Sequence, residues 1–494
     1  MRLVISSKYF CNIEASFKLV SIQINNPPYM NKKLKLWDAV MLVMGSMIGS
    51  GIFIVASDMM RNLGSGYWLI LVWVITGVMT VAAALSYGEL SARFPKAGGQ
   101  YTYIAEIFGK KLGFLYGWGL FSVIQTGTIA AVGVAFGKFT GYLVPALTEA
   151  SPLFETGSFK ITWVQILAIA IILLLTYINT RGVKDGKFLQ NIFTGSKIVA
   201  LLGLIVCGFW LAKDSHFSDY KLLGWDSFQN FKGEGWQSIS GMTLMGGLAV
   251  AMVGSIFSSV AWENVTFVSG EIENPRRNVV LSLIIGTISV MGLYMLVNLV
   301  YLNVLDRDGI AFAADDRVAV AASQQIFGAS GTTVIAILVM ISTFGCNNGL
   351  ILAGARVFQT MAKDGLFFRS AVKNNRFEVP ENALWMQGIW ASLLCLSGQY
   401  GDLLDMVSFV IVLFYMITVF GVIYLRFKDK TPTDGYKTWG YPITPLIYLI
   451  LGLGFCGLLL VYKQKYTWPG LVLILVGLPI YYFINRNKQR FSKD

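Results

Sequence analysis

Residues 45–53 read Gly45-Ser46-Met47-Ile48-Gly49-Ser50-Gly51-Ile52-Phe53, and residues 254–264 read Gly254-Ser255-Ile256-Phe257-Ser258-Ser259-Val260-Ala261-Trp262-Glu263-Asn264. Each stretch places small and polar residues in the middle of an apolar segment of transmembrane length. Unwound backbone in hydrocarbon is tolerated only where it is buried in protein or lines a polar cavity. Interruptions at matching positions five segments apart therefore predict an inverted repeat of five plus five helices, with a binding site at the bilayer midplane.

The composition is that of a membrane protein. Of the 494 residues, 55% are hydrophobic and only 13% are charged, against about 25% charged residues in soluble domains. Apolar runs recur along the chain and predict an all-α integral membrane protein with about twelve transmembrane spans. In chain order, spans 1 to 12 are predicted at Trp37–Met60, Tyr67–Arg93, Leu112–Leu143, Ile161–Asn179, Phe188–Ala212, Ser240–Gly270, Asn278–Val304, Thr332–Met361, Ala383–Leu396, Leu403–Tyr424, Pro442–Tyr462 and Trp468–Ile484.

Lysine and arginine are concentrated in alternate gaps between the spans, which is the positive-inside pattern. The enriched gaps include Lys32, Lys33 and Lys35 before span 1 and Arg486, Lys488 and Arg490 after span 12. The net charge of +12 therefore indicates orientation in a membrane rather than a nucleic-acid partner. We expect a multi-pass protein of the plasma (inner) membrane with both termini in the cytoplasm.

The predicted organisation has four parts. Residues 1–36 form a cytoplasmic segment, in which we hypothesise that Met30 is the natural start and residues 1–29 are a spurious extension. The transporter core covers residues 37–427, with the two repeats at 37–212 and 240–427. Residues 428–485 hold spans 11 and 12, outside the repeat, and residues 486–494 form a cytoplasmic tail.

The reactive residue types argue against an enzyme. The cysteines have no disulfide or metal-ligand spacing, and the one histidine, His216, lies in a polar loop, where we expect it to be solvated. No nucleophile, base and orienting residue share a span, and no nucleotide-binding loop is present. We expect no metal and no cofactor. A channel is less favoured, because a repeated broken helix without a filter ring is typical of alternating access.

The two interruptions offer opposite poles for one ligand. The stretch Gly49-Ser50-Gly51 would free amide donors at a helix N-terminus, where the dipole favours a carboxylate. Free carbonyls near Met47, and around Phe257 and Ser258, would face an α-ammonium. Together these poles match the backbone shared by α-amino acids. The alternative is that Gly49 and Gly51 only permit close packing of helices.

Ionisable residues within spans are costly and mark functional candidates. Lys197 would place a permanent positive charge against the carbonyls of the broken first helix, or would serve only as a structural ammonium. Glu263 would take up a proton if burial raised its affinity for one; a structural carboxylate paired with a neighbouring donor is the favoured alternative. Lys138 and Arg356 lie nearer span ends and are expected to snorkel or to pair with loops.

Further residues are expected to complete the pocket. Phe257, next to the second interruption, is predicted to act as a gate over the substrate, with Trp262 packed behind it. Gln125 in span 3 and Asn347 in span 8 are predicted to line the side-chain end of the pocket. The alternative for both is hydrogen bonding between helices.

The sequence also resembles the amino acid-polyamine-organocation superfamily, and within it the bacterial relatives of the L-type amino acid transporters. The resemblance runs from about Lys35 to span 12. It rests on Gly49-Ser50-Gly51-Ile52-Phe53, Tyr87-Gly88-Glu89-Leu90 through Phe94-Pro95-Lys96-Ala97-Gly98-Gly99, Phe257 with Trp262-Glu263-Asn264, Phe267-Val268 and Glu271 before Asn274-Pro275, Gln190 with Ile192-Phe193-Thr194 and Lys197, and Gly354-Ala355-Arg356 with Asp364-Gly365-Leu366.

The resemblance implies a leucine-transporter-like fold, alternating access, carboxylate binding by the amides of Gly49 to Gly51, and Phe257 as the proximal gate. It implies that Lys197 replaces a sodium site, so that sodium-independent exchange of amino acids is expected. Animal members join a heavy chain through a cysteine after span 3. Residues 145–160 contain none, so no disulfide-linked heavy chain is expected.

The resemblance also bears on the substrate. Members that accept bulky side chains often carry paired glycines where this chain has Val260 and Ala261, so we expect small to medium neutral amino acids. The alternatives are a proton-coupled symporter that uses Glu263 and an antiporter of cationic amino acids or polyamines. The expected partners are amino acids and membrane lipid, with a proton in the first alternative.

Overall fold

A computed structural model describes residues 34–148, 152–156, 159–182, 186–212, 215–217, 219, 228–231, 233, 235–396, 400–429 and 435–491. Of residues 186–190 and 485–491, only the helical backbone is described. The hypothesis about residues 1–29 lies outside the described residues, and so do Lys32 and Lys33 of the charge pattern.

Span 1 is built from three short helices, Leu36–Met47, Gly51–Ile54 and Ala56–Leu63. The other long apolar helices are Gly66–Arg93, Lys110–Leu143, Trp163–Thr180, Gly186–Trp210, Gly241–Ser258, Pro275–Val304, Val318–Lys363, Tyr400–Lys428, Ile443–Tyr462 and Gln464–Phe491. Within the described residues, eleven spans are long and apolar enough to cross a membrane. The predicted span 9 is a helix of 15 residues, Glu381–Cys395, which is too short for that criterion.

Shorter elements fill the connections. Two antiparallel hairpins pair Pro152–Thr156 with Phe159–Thr162 and Gln229–Phe231 with Trp236–Ser238. Short helices lie at Gln100–Phe108, Pro145–Leu147, Asn264–Phe267, Ser269–Glu271, Arg307–Ala311, Ala314–Asp316 and Arg369–Val372. His216 lies in a connection, as predicted, and its Nδ1 is 2.8 Å from Asp219 Oδ2.

Both predicted interruptions are present. In span 1 the first helix ends at Met47, Ile48 has an extended backbone, and the chain becomes helical again at Gly51. In span 6 the helix ends at Ser258 and resumes at Asn264. Between Ser258 and Asn264, Ala261 has a φ of 68°, which a residue with a Cβ rarely adopts. The predicted fold class, with broken helices 1 and 6, is confirmed.

The packing brings the two interruptions together. Span 7 packs against spans 1, 2 and 5, and span 3 packs against spans 4 and 8. Gly51 lies so close to the end of the first half of span 6 that a Cβ built on it would be 2.1 Å from Ser258 Oγ. The side of the membrane on which span 1 begins is called the near side below, and the opposite side is called the far side.

Candidate functional site

A small buried cavity lies between the two interruptions. It is lined by residues of spans 1, 3, 6 and 8, namely Ser46, Met47, Gly49, Ser50, Gly51, Thr128, Val132, Phe257, Ser258, Val260, Ala261 and Cys346. The free space is about 20 Å³, enough for one or two water molecules. In this conformation the cavity is therefore contracted, and an amino acid would enter only after the surrounding spans separate.

The cavity has a pole of hydrogen-bond donors. Among the described residues, the backbone amides of Gly49, Ser50 and Gly51 have no backbone acceptor. Val55 keeps a helical conformation, so the chain winds on from Gly51 to Leu63 behind these amides. Amides at the start of such a helix attract an anion. A Cβ on Gly51 would be 2.1 Å from Ser258 Oγ, so this glycine permits close packing, while binding of a carboxylate by these amides stays a prediction.

The carbonyl groups of the first interruption differ from the prediction. The Met47 carbonyl is not free, because it accepts a hydrogen bond from the Tyr294 hydroxyl at 2.8 Å. Lys197 Nζ donates to the carbonyls of Gly45 and Ile48, at 2.8 Å each. Its side chain is only 2% exposed. The ammonium group of Lys197 therefore lies against the backbone carbonyls of the broken first helix.

Phe257 lines the cavity and contacts a residue that the sequence did not indicate. The rings of Phe257 and Tyr400 meet edge to face, with centroids 6.1 Å apart. The Tyr400 hydroxyl is 3.1 Å from Ser50 Oγ. Lys138 Nζ lies 5.8 Å from the centre of the Tyr400 ring. Tyr400 therefore contacts Ser50 of the donor pole, Phe257 and Lys138 of span 3.

Two predicted pocket residues do not line the cavity. Gln125 lies between helices, and its Nε2 donates to the carbonyl of Leu350 in span 8 at 2.7 Å. Thr128 and Val132, one and two turns further along span 3, line the cavity instead. Asn347 is 1% exposed, and neither of its side-chain polar atoms has a hydrogen-bond partner. Its neighbour Cys346 contributes to the lining.

Glu263 lies just after the cavity wall, at the residue before the helix Asn264–Phe267. It is buried, and its Oε2 has no hydrogen-bond partner. Trp262 packs against Tyr87 and Tyr415, with ring centroids 4.8 and 5.2 Å away. Glu263 does not line the cavity, so it would act on a substrate only through its neighbours.

Polar contacts close the far side. Arg61, on the second half of span 1, donates to Asp316 Oδ1 and to the carbonyl of Ala311, both at 2.7 Å. Ser57 donates to the carbonyl of Ile310 at 2.7 Å. Lys138 lies 3.8 Å from the Asp316 carboxylate, which confirms that this lysine pairs with a loop. These bonds tie the second half of span 1 to the connection between spans 7 and 8.

A separate set of contacts closes the near side. The backbone amide of Leu34 donates to the carbonyl of Glu271 at 3.2 Å, so the start of span 1 is joined to the end of span 6. Arg356 forms an ion pair with Glu271. Arg426 donates from Nε and Nη2 to the Glu89 carboxylate, at 3.0 and 2.6 Å. The residues that line the cavity are buried, and polar contacts lie on both sides of it.

Comparisons with known proteins agree with this architecture. A family model described as amino acid permease matches residues 34–481. The serine/threonine exchanger SteT of Bacillus subtilis (strain 168) is 27% identical over 93% of this chain and 98% of its own. The human large neutral amino acids transporter small subunit 2 is 29% identical over 92% of this chain and 80% of its own. The mouse Asc-type amino acid transporter 1 is 28% identical over 92% of this chain and 81% of its own.

The family match extends from the first described residue through spans 1 to 11 and into span 12. It therefore includes both broken helices and every residue that lines the cavity. The chain belongs to the amino acid permease family.

Proposed function

We propose that this protein exchanges small to medium neutral amino acids across a membrane by alternating access, without sodium. The observation that carries the proposal is the buried cavity between two broken helices, with the amides of Gly49, Ser50 and Gly51 at one pole. Three relatives whose names describe a serine/threonine exchanger and neutral or Asc-type amino acid transporters support the choice of substrate.

In the proposed complex the substrate carboxylate accepts from these amides. The α-ammonium group lies at the opposite end, near the Ser258 carbonyl and the Ser46 hydroxyl, which is buried and has no partner. The Met47 carbonyl stays bonded to Tyr294, so Met47 contributes to the wall. Val132, Val260 and Ala261 then face the side chain, and their bulk favours a short one.

Lys197 supports sodium independence. Its ammonium group bonds to two carbonyls of the first interruption and supplies the positive charge that a sodium ion would bring. Because lysine keeps this charge without a bound ion, the energy for transport would come from the gradient of the exchanged amino acid.

Alternating access would require the two closures to open in turn. Phe257 and Tyr400 would open with the Arg61–Asp316 contact on the far side, and the Leu34–Glu271 contact would open on the near side. We place the core at residues 37–427 with its repeats at 37–212 and 240–427, and we place the near side in the cytoplasm of a cell bounded by a plasma membrane.

We further propose that the chain acts as a transporter rather than an enzyme, and without a disulfide-linked heavy chain. One relative is named a small subunit, which indicates an assembly for that protein. Residues 145–160 of this chain contain no cysteine that could form such a bridge.

The test is uptake of radiolabelled serine into proteoliposomes at fixed pH without sodium, with and without serine inside. Uptake that requires internal serine and persists with a protonophore is expected. Uptake into empty vesicles, driven by an inward proton gradient, would replace exchange by proton symport. A lack of uptake of serine, alanine, threonine and leucine under both conditions would contradict the proposed substrate class.

Proton-coupled uptake is the second candidate, because the buried Glu263 carboxylate has an oxygen without a partner. In that case Glu263→Gln would abolish the proton-driven component and spare exchange between loaded vesicles. Cationic substrates are less favoured, since none of the described residues that line the cavity is acidic.

A further inference from the structure

A cluster of charged residues lies between the cavity and the far side. Lys138 of span 3 and Arg61 of span 1 both contact the Asp316 carboxylate, with nitrogen to oxygen distances of 3.8 and 2.7 Å. The Lys138 side chain is only 7% exposed, whereas that of Asp316 is 33% exposed, so the ammonium group is the deeper of the two. An ammonium group at this depth is costly and marks a functional candidate.

Lys138 also lies close to the donor pole of the cavity. It follows Val132, a residue of the cavity lining, by about 9 Å along one continuous helix. Its Nζ is 5.8 Å from the centre of the Tyr400 ring, and the Tyr400 hydroxyl is 3.1 Å from Ser50 Oγ. A series of polar groups thus leads from the Asp316 carboxylate to the amides of the first interruption.

The segment that carries Asp316 is held in an unfavourable backbone conformation. Asp315 and Asp316 have φ values of 52° and 62°. Such conformations cost free energy and persist where surrounding contacts hold them. Arg317 supplies two of these contacts, since its Nη2 is 2.9 Å from the Asp315 carboxylate and its Nη1 donates to the Lys138 carbonyl at 3.0 Å. We expect the segment to leave span 3 when the far-side contacts part.

We propose that Lys138 forms an outer subsite for the carboxylate of an incoming amino acid, and that Asp316 occupies this subsite in the present conformation. When the far side opens, the substrate carboxylate replaces that of Asp316 beside Lys138 and then passes to the amides of Gly49 to Gly51. A carboxylate and an ammonium group form a charge-assisted hydrogen bond, which is stronger than a neutral one. This inference rests on the proposed function, because it takes those amides as the inner carboxylate site.

The experiment measures the apparent KM for labelled serine on each face of the membrane, in intact cells and in inverted membrane vesicles loaded with serine. On one face, Lys138→Met should raise KM by about tenfold, the order expected for a lost charge-assisted hydrogen bond. On that same face Asp316→Asn should lower KM, because it removes the competing carboxylate. Lys138→Arg, which keeps the charge, should restore most of the affinity.

The opposite signs separate an outer subsite from a contact that only closes the far side. If the contact between Lys138 and Asp316 were only structural, breaking it from either partner would favour the same open conformation. A shift of KM in the same direction for both variants on both faces would therefore overturn the proposal.

The matched control is the ion pair of Lys463 and Asp405, at 2.9 Å, which joins the connection between spans 11 and 12 to span 10 on the far side. Lys463→Met and Asp405→Asn should shift KM in the same direction, because this pair lies outside the proposed series. Opposite signs in this pair as well would remove the support that the signs give to the subsite.

Propionate, a carboxylate without an ammonium group, gives a second readout. It should inhibit serine uptake by Asp316→Asn more strongly than uptake by wild type, and adding Lys138→Met, or Lys138→Gln if the methionine variant does not fold, should remove the increase. An increase that remains in the double variant would assign the added propionate to the inner amides and contradict the outer subsite. Wild-type protein that takes up no serine from either face would instead contradict the proposed function itself.

Discussion

The two interrupted helices look alike in sequence but are held in different ways. Neighbouring spans support the first interruption: Lys197 of span 5 bonds to the carbonyls of Gly45 and Ile48, and Tyr294 of span 7 bonds to that of Met47. In the described part of the chain, the backbone groups of residues 259–263 in the second interruption bond only within span 6. Glu263 Oε2 and Asn264 Nδ2, at its end, have no partner.

This difference indicates that the two interruptions have different roles in transport. Unwound backbone inside a membrane needs hydrogen-bond partners, and the first interruption receives them from spans 5 and 7. We therefore expect it to keep its conformation, and in the proposed function it would bind the substrate carboxylate. The second interruption includes Ala261 in a strained conformation and has fewer external bonds, so it is the part expected to change conformation as access alternates.

The largest effect should follow from removing the external support of the first interruption. Lys197→Met would delete two charge-assisted hydrogen bonds and leave two buried carbonyls unpaired, at a cost of about 3 kcal/mol or more. Exchange should fall below detection, and the melting temperature of the purified protein should drop clearly. Lys160→Met, at an exposed lysine of the strand Phe159–Thr162, is the control. Full exchange by Lys197→Met would show that the first interruption does not depend on this support.

The next largest effect should come from the point where the two interruptions touch. Gly51→Ala would place a Cβ 2.1 Å from Ser258 Oγ, and such overpacking costs about 1 to 3 kcal/mol. Exchange should fall by about tenfold or more, because the half-helices would be pushed apart at the donor pole.

Gly203→Ala is the matched control, since a Cβ there meets no atom within 4 Å. Adding Ser258→Gly to Gly51→Ala should recover part of the exchange by removing the clashing side chain. If Gly51→Ala exchanges as well as Gly203→Ala, the close approach is not required for function.

Some residues of the cavity can be predicted from the sequence and others cannot. The sequence predicts the glycines and Phe257 as site residues, because a polar interruption of an apolar span is a local signal that needs a physical cause. It does not predict Tyr400, since the contact of Tyr400 with Ser50 joins residues 350 positions apart. An aromatic residue near a span end gives no local sign of such a contact, because tyrosines are common at membrane interfaces.

One further difference has a physical cause. The sequence predicts Gln125 in the pocket because it is polar at mid-depth, but its amide donates to a helix carbonyl that it reaches only in the packed structure. The predicted start of span 8 at Thr332 lies just after Gly328, the non-helical residue at which a helix from Val318 ends and the next helix begins.

A smaller effect is expected at the second support of the first interruption. Tyr294→Phe would remove only the hydroxyl that donates to the Met47 carbonyl, and a neutral hydrogen bond contributes about 1 kcal/mol. Exchange should fall a few-fold, less than in Gly51→Ala. Tyr301→Phe is the control, because its hydroxyl donates to Ile52, within the helical part of span 1. A larger loss in Tyr301→Phe would mean that the interruption is not the sensitive point.

The smallest effect should come from the second interruption, and it should have the opposite sign. Ala261 has a φ of 68°, where glycine is favoured, so Ala261→Gly should relieve strain and stabilise the protein slightly, by up to about 1 kcal/mol. Ala251→Gly, ten residues earlier in the helical part of span 6, should instead destabilise it by about 1 kcal/mol. Melting temperatures of the two variants, measured side by side, would separate backbone strain from the loss of a methyl group. A drop of equal size in both would mean that the conformation at Ala261 is not strained, and the case for a mobile second interruption would then rest on its missing external bonds alone.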